Sequence, residues 1–160
     1  MRLAHLLLPA LLPCCFLLLS ACGDDAPKPA KRIDTPQEAV TRIGDVTIRA
    51  NVVPTASLNE GVARGYGIAR SEGTLLLLVA VRKGPDGQDT ALPATIQASV
   101  ANLHGQRRDI AMRELRTGEL VDYVGTVDVA PPETLTFDLK IVPEGGATSS
   151  LQFTRDFLPE

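Results

Sequence analysis

The segment TLLLLVAV, residues 74–81, is apolar at every position after its first threonine. It is far shorter than the roughly 20 residues that a membrane-spanning helix needs. Gly73 precedes it, and the turn-forming sequence RKGP follows it at residues 82–85. A short apolar run between turn residues is typical of a buried strand. The segment therefore predicts a central β-strand that is covered on both faces.

Apolar and polar residues alternate in segments on both sides of this run. The segments lie at residues 46–52, 96–100, 121–129, 135–141 and 151–157. Such alternation places one face of each strand on a core and the other in water. It places Tyr123 and Gly125 on the inner face, and a buried tyrosine hydroxyl needs a hydrogen-bond partner.

Turn residues separate these segments. Glu72 and Gly73 suit a tight hairpin turn, His104-Gly105-Gln106 separates two further strands, and Glu144-Gly145-Gly146 separates another pair. The sequence SLNEGVAR at residues 57–64 predicts one helical turn, with Ser57 as its N-cap and Glu60 three residues later. Seven or eight short strands with almost no helix predict an all-β fold. We expect an antiparallel β-sandwich of immunoglobulin-like type, and a small barrel is the alternative.

The N-terminal 21 residues predict a secretory signal peptide, because one arginine precedes a long apolar run that ends in small residues. The sequence LSAC at residues 19–22 resembles the bacterial lipobox, in which the peptide is cut before a lipidated cysteine. The resemblance implies that residues 1–21 are removed and that Cys22 carries the lipid. An uncut membrane anchor and a soluble secreted protein are the alternatives, since the apolar run approaches the length of a bilayer span.

The residue after the cysteine bears on the choice of membrane. In enteric bacteria, an aspartate directly after the lipidated cysteine resembles a signal for retention in the inner membrane. Here that position is Gly23, and Asp24 and Asp25 follow it. We therefore expect a lipid anchor facing the periplasm, in the outer rather than the inner membrane. Cys14 and Cys15 lie in the removed segment, so the mature chain has no thiol for a disulfide, a nucleophile or a metal site.

Residues 22–32 predict a lipidated cysteine followed by a flexible tether, because they are small, charged and interrupted by proline. Residues 33–160 predict one β-sandwich domain, which is large enough to form a core of its own. The mature chain has 15 basic and 19 acidic residues, a net charge of −4. It shows no basic patch with interleaved aromatic residues, so we expect no nucleic-acid partner.

Five segments of the sequence resemble segments of a known family. They are GYGIARS at 65–71, ANLHGQ at 101–106, RELRTGELVDYVG at 113–125, ETLTFDLKIVPEGG at 133–146 and LQFTRDFLPE at 151–160. In order and spacing they resemble a family of small proteobacterial envelope proteins, domain of unknown function 4426. The resemblance covers about residues 44–160 and implies a periplasmic β-sandwich without an assigned activity. Where that family carries a His-Tyr-Asn step, this chain has Arg49-Ala50-Asn51.

The mature sequence offers little for catalysis or metal binding. Its one histidine, His104, lies in a predicted turn, and no G-x-S-x-G elbow is present. We therefore expect no enzyme, no cofactor and no zinc site. Asp86 and Asp89 offer two carboxylates to a Ca²⁺ ion, but they lack the ligand number of an EF-hand loop. We interpret their segment as a flexible hairpin loop.

Two groups of residues are candidates for contact with a partner. The first comprises Arg64, Tyr66, Arg70 and Ser71, because arginine suits carboxylate and phosphate recognition and the tyrosine can stack beside it. The second comprises Asn102 and Gln106, which bracket a turn. For both groups a structural role in a turn is the competing interpretation.

The sequence is compatible with three functions. The first hypothesis is a non-catalytic module that binds or scaffolds an envelope protein, anchored to the membrane through Cys22. The alternative is a carrier of a small ligand or metal ion, which requires a concave apolar pocket or Ca²⁺ on Asp86 and Asp89. The third is an enzyme, which requires His104 to face a cleft beside Asp109 or Glu114.

Overall fold

The computed structural model describes residues 37–159. This part of the chain forms ten β-strands, one short helix (α1, Glu60–Tyr66) and a 3-10 turn at Thr55–Ser57. The first five strands are β1 Ala39–Ile43, β2 Val46–Pro54, β3 Thr74–Lys83, β4 Thr90–Ala91 and β5 Ala94–Asn102. The last five are β6 Arg107–Ile110, β7 Arg113–Thr117, β8 Leu120–Asp128, β9 Glu133–Pro143 and β10 Ser149–Phe157.

The strands form two antiparallel sheets. The first sheet has the order β1-β2-β3-β8-β7, with the two-residue β4 paired to the end of β3. The second has the order β10-β9-β5-β6. The chain leaves the first sheet after β4, returns after β6 and leaves again after β8. The predicted antiparallel β-sandwich is confirmed, with ten strands instead of seven or eight.

The core lies between the inner faces of the two sheets. It contains the alternating apolar residues that the sequence placed inward, including Ile48, Val100, Phe137 and Leu151. Phe137 of β9 stacks on Phe153 of β10, with ring centroids 5.2 Å apart. Since β2, β3, β5, β8 and β9 each contribute every second residue, the two sheets share one continuous apolar interior.

The prediction of a central strand at residues 74–81 is confirmed, because β3 pairs with β2 on one side and with β8 on the other. Its inner residues, such as Leu77 and Val79, are fully buried. On the outer face Leu76 is also buried, whereas Leu78 and Ala80 are half-buried. The outer face is thus covered at one end of the strand and partly open along its middle.

The connection between β2 and β3 is a 19-residue excursion, residues 55–73, and not the tight turn expected at Glu72 and Gly73. The helix within it begins two residues later than expected. Asn59, not Ser57, is its N-cap, and the Asn59 side chain accepts a hydrogen bond of 2.8 Å from the Val62 amide. The helix ends at Gly67 in the left-handed conformation, with φ +64°, which glycine adopts without strain.

Two inward-facing residues of β8, Tyr123 and Gly125, contact other parts of the sandwich. The Tyr123 hydroxyl reaches the other sheet and accepts a hydrogen bond of 2.7 Å from the Ala94 amide. Gly125 lies beneath the crossing from β6 to β7, where a Cβ atom would stand 2.6 Å from Cγ2 of Ile110 and 2.7 Å from the sulfur of Met112. Both residues face inward, as the alternation of β8 predicts.

The predicted signal peptide at residues 1–21 and the tether at 22–32 lie outside the described residues. Cys22, the predicted lipidation site, therefore has no structural account here. Within residues 37–159, no helix is long and apolar enough to cross a membrane.

Candidate functional site

Arg70 and Ser71 close the excursion between β2 and β3. The Arg70 guanidinium donates hydrogen bonds of 3.2 and 2.7 Å to the Ala56 carbonyl. The Ser71 amide donates to the Thr55 hydroxyl at 2.9 Å, and the Ser71 carbonyl accepts from that hydroxyl at 3.1 Å. Thr55 is fully buried. These bonds join the two ends of the excursion, so both residues serve its structure.

Arg64 and Tyr66 lie on α1, between those two ends. Arg64 is exposed and forms no salt bridge among residues 37–159. Tyr66 is half-buried, and its carbonyl accepts a hydrogen bond from the Arg113 guanidinium of β7. Three arginines, 64, 70 and 113, therefore surround this excursion, but two of them are already engaged with backbone carbonyls.

Asn102 and Gln106 clamp the turn between β5 and β6. The Asn102 side-chain oxygen accepts from the amides of His104 and Gln106, each at 3.0 Å. Its side-chain nitrogen donates to the Gln106 side-chain oxygen at 2.8 Å. Two backbone bonds, Gly105 to Asn102 and Asn102 to Gln106, complete the turn. The expected structural role of Asn102 in the turn is thus visible in its contacts.

The clamped turn presents Leu103 to solvent. Leu103 is 78% exposed, the largest value among the exposed large hydrophobic residues of the described chain, and His104 beside it is also exposed. The enzymatic hypothesis requires His104 in a cleft, and the structure places it on an open turn instead. We name residues 103–106 the hairpin tip.

The two predicted groups belong to different sheets. Arg64, Tyr66, Arg70 and Ser71 lie on the excursion from the first sheet, whereas Asn102 and Gln106 lie on the second. Both groups lie at the same end of the sandwich, where Val129 after β8 bonds to Gly73 and the chain continues to β9. No hydrogen bond or salt bridge joins the two groups within the described residues.

Arginine side chains bind the carboxylates of the loop at residues 84–89. Asp86 accepts from Arg42 at 3.0 and 2.8 Å and from Arg49 at 2.9 Å. Arg49 also lies 3.6 Å from Asp89. The hydrogen bonds from Arg42 and Arg49 hold the pKa of Asp86 below its ordinary value. A Ca²⁺ ion at this loop would have to displace two guanidinium groups.

The outer face of the second sheet carries a broad groove of about 830 Å³, with Asp138 of β9 in its lining. Asp138 accepts hydrogen bonds from the Gln152 amide and from Arg107, the latter at 2.7 Å. Arg107 also donates to the Ser99 hydroxyl at 2.7 Å. The Gln152 bond and then the Arg107 bond lower the pKa of Asp138. These side chains satisfy one another, so the groove shows an internal polar network.

A smaller pocket of about 200 Å³ opens at the other end of the sandwich, away from the hairpin tip. We name it the end pocket. The turn from β1 to β2, the residue Leu92 and the turn from β9 to β10 surround it. Its apolar lining consists of Ile43, Val46, Ile48, Leu92, Pro143 and Ala147. Asp45, Lys83 and Glu144 stand at its edge.

Metal ligands are sparse in the described part of the chain. Residues 37–159 contain no group of three or more His, Cys, Asp or Glu side chains that could hold a metal ion. Their one histidine is His104 at the hairpin tip, and their one methionine is Met112, which packs against the core.

Residues 40–160 match the family described as "domain of unknown function (DUF4426)". No curated protein sequence matches the chain.

Solved structures with a similar fold include a DUF4426 family protein and FetP. A DUF4426 family protein, PA0388 from Pseudomonas aeruginosa, superposes with a TM-score of 0.66 at 23% identity, over 77% of this chain and 96% of that one. FetP from uropathogenic Escherichia coli, expressed in the periplasm, gives a TM-score of 0.56 at 10% identity, over 78% and 97%. A copper-bound variant of FetP gives 0.51 at 12% identity, over 74% and 95%. At these identities the likeness shows the fold.

Proposed function

The chain belongs to the DUF4426 family, and from that premise we propose that it is a lipid-anchored periplasmic β-sandwich that binds a protein partner in the cell envelope without catalysing a reaction. The lipobox-like sequence at residues 19–22 supports the anchor. The absence of an aspartate directly after Cys22 favours the outer membrane.

The hairpin tip carries the argument for partner binding. Leu103 is 78% exposed in the folded chain. Its apolar side chain is therefore removed from water only when another molecule covers it. The side-chain and backbone bonds of Asn102 hold the turn in one conformation. A rigid turn loses little conformational entropy on binding, so more of the contact energy remains as affinity.

The excursion at residues 55–73 provides a second contact region at the same end. Arg64 is the candidate there, since its guanidinium is exposed, whereas Arg70 holds Ala56. In this proposal the tip supplies the apolar anchor and Arg64 supplies a charge at the rim. Rim charges affect the rate of association more than the affinity.

A photo-crosslinking amino acid in place of His104, in the full chain in living cells, tests the proposal. We expect one dominant crosslinked envelope protein, identified by mass spectrometry. The substitution Leu103→Asp should remove that crosslink. Leu158→Asp is the matched control, because Leu158 is 70% exposed but lies at the C-terminal end of the chain, outside the tip.

If no protein crosslinks to position 104 above background, the proposed binding role is wrong. A pattern that Leu103→Asp and Leu158→Asp change to the same extent would show that exposed leucine in general, and not the tip, is responsible.

A carrier of a small ligand or metal ion is the competing function. A FetP variant is copper-bound, and this chain has a similar fold. Yet copper prefers histidine and sulfur ligands, and the described residues bring His104 and Met112 to different places. The end pocket, at about 200 Å³, is smaller than the roughly 300–1,000 Å³ of most small-molecule sites. A rise in melting temperature with Cu²⁺ or Ca²⁺, measured on the purified chain, would favour the carrier.

A further inference from the structure

The end pocket has the size of one aliphatic side chain. A cavity of about 150 Å³ remains when a buried leucine is truncated to alanine. The end pocket measures about 200 Å³ and has six apolar residues in its lining. Ile43 at its mouth is 44% exposed, so the pocket opens to solvent. A leucine from another molecule therefore fits this site in volume and can contact its six apolar residues.

The hairpin tip and the end pocket lie at opposite ends of the second sheet. Pro143, in the lining of the pocket, pairs with Ala94 at the start of β5, whereas the tip follows Asn102 at its end. Nine residues of β5 separate them, which is roughly 30 Å at about 3.3 Å per residue. Leu103 cannot enter the pocket of its own chain, so only a second molecule can supply it.

The charges around the two features have opposite signs. Arg107 and Arg108 follow the tip within five residues of Leu103, and both are exposed. Asp138 pairs with Arg107 at 2.7 Å, which leaves Arg108 as the positive charge without a salt bridge beside the tip within residues 37–159. Asp45 and Glu144 stand at the edge of the pocket. Lys83 lies 3.9 Å from Asp45 and offsets one of these acids, which leaves Glu144 uncompensated there. Arg108 beside the tip and Glu144 beside the pocket therefore attract each other, more strongly at low salt.

We infer that the partner of the hairpin tip is a second copy of this chain, whose end pocket receives Leu103. This inference rests on the proposed binding role of the tip. The contact joins different surfaces of the two molecules, so each copy keeps one free tip and one free pocket. Such heterologous contacts build rings or open chains instead of closed dimers. On a membrane they would link neighbouring anchored domains into rows.

Two complementary variants test the inference in the full chain. Leu103→Asp removes the tip, and Ala147→Trp fills the pocket from an exposed turn position. Two differently tagged copies are co-expressed, and one is purified from detergent-solubilised membranes. We expect wild-type copies to co-purify, and co-purification to fall at least about tenfold when both copies carry Leu103→Asp. The same loss is expected when both copies carry Ala147→Trp.

The mixed pair gives the decisive result. One copy with Leu103→Asp still has its pocket, and one copy with Ala147→Trp still has its tip, so together they should form a one-to-one complex that grows no further. Failure of the mixed pair to associate, or association of either variant with itself, overturns the inference. Leu158→Asp is the control that should leave wild-type association unchanged.

The crosslinking experiment at position 104 separates this inference from the proposed function. A crosslink to residues of the end pocket in a second copy supports both. If only a different envelope protein crosslinks, self-association is wrong and the proposed binding function is supported. No crosslink at all removes both.

Discussion

Gly125 of β8 leaves space for the segment that crosses from β6 to β7. A Cβ atom there would lie 2.6 Å from Cγ2 of Ile110, 2.7 Å from the sulfur of Met112 and 3.0 Å from the carbonyl oxygen of Ala111. Side chains could turn aside, but the carbonyl belongs to the backbone that carries β6 into β7. We expect Gly125→Ala to lower the free energy of unfolding by about 1–3 kcal/mol, measured by urea denaturation.

Gly65 is the matched control for this substitution. It lies within α1, and an added Cβ atom would meet nothing within 4 Å. Alanine favours a helix over glycine by about 1 kcal/mol, so Gly65→Ala should stabilise the protein slightly. If Gly125→Ala were as harmless as Gly65→Ala, the close approach of the crossing chain to β8 would be wrong.

Tyr123 connects the two sheets through one hydrogen bond. Its ring is 5% exposed, and its hydroxyl accepts from the Ala94 amide at 2.7 Å. Tyr123→Phe keeps the ring but leaves that amide without its acceptor, which costs about 1–3 kcal/mol when the group is shielded from water. Chemical denaturation should show this loss. Tyr66→Phe, at a half-buried tyrosine whose hydroxyl forms no bond within residues 37–159, should show almost none.

At the scale of the element, β9 carries an acid-sensitive contact on its outer face. The Gln152 amide and then Arg107 hold the pKa of Asp138 below its ordinary value of 3.8. The unfolded chain therefore takes up this proton first as the pH falls. The contribution of Asp138 to stability is present above pH 3.8 and is lost as the pH falls through the lower pKa of the folded state.

Asp138→Asn tests that contact. We expect the variant to lose about 1 kcal/mol at neutral pH and to approach the wild type in acid below the folded-state pKa of Asp138, measured by denaturation at neutral pH and in acid. Asp109→Asn is the control, because the Asp109 carboxylate forms no salt bridge or side-chain hydrogen bond among the described residues. An equal difference between Asp138→Asn and wild type at both pH values would contradict the assigned cause.

The inner strands could be predicted from the sequence because burial imposes alternation on them. β2, β5, β8, β9 and β10 each place every second residue in the core, and period two is visible in a single sequence. The alternation in the sequence does not predict β1. It is an edge strand in which Val40 and Ile43 are substantially exposed, so backbone pairing with β2 holds it more than burial does. The two-residue β4 is too short to have a period.

The excursion between β2 and β3 shows where local signals reach their limit. Turn residues at 72–73 suggested a hairpin, but the bonds that shape this segment join Thr55 to Ser71 and Ala56 to Arg70. Contacts between residues about 15 positions apart leave no local pattern. At the hairpin tip the sequence identified Asn102 as a turn residue, whereas the exposure of Leu103 between the strands could be read only from the fold.

At the scale of the whole molecule, the proposed anchor determines where the hairpin tip and the end pocket can act. Fourteen residues separate Cys22 from the first described residue, Gln37. At no more than about 3.6 Å per residue, this segment reaches at most roughly 50 Å. Lipid on Cys22 would therefore keep the domain close to the membrane surface, where a high local concentration favours weak contacts between neighbouring copies.

Cys22→Ser tests the anchor directly. Without the thiol no diacylglycerol can be attached, and we expect the protein to remain uncut or to leave the membrane fraction, as seen by fractionation and by intact mass. Cys14→Ser and Cys15→Ser are the matched controls, because the signal peptide carries both residues and the mature chain carries neither. If the Cys22→Ser protein still sediments with the outer membrane, the domain is held there by something other than its lipid.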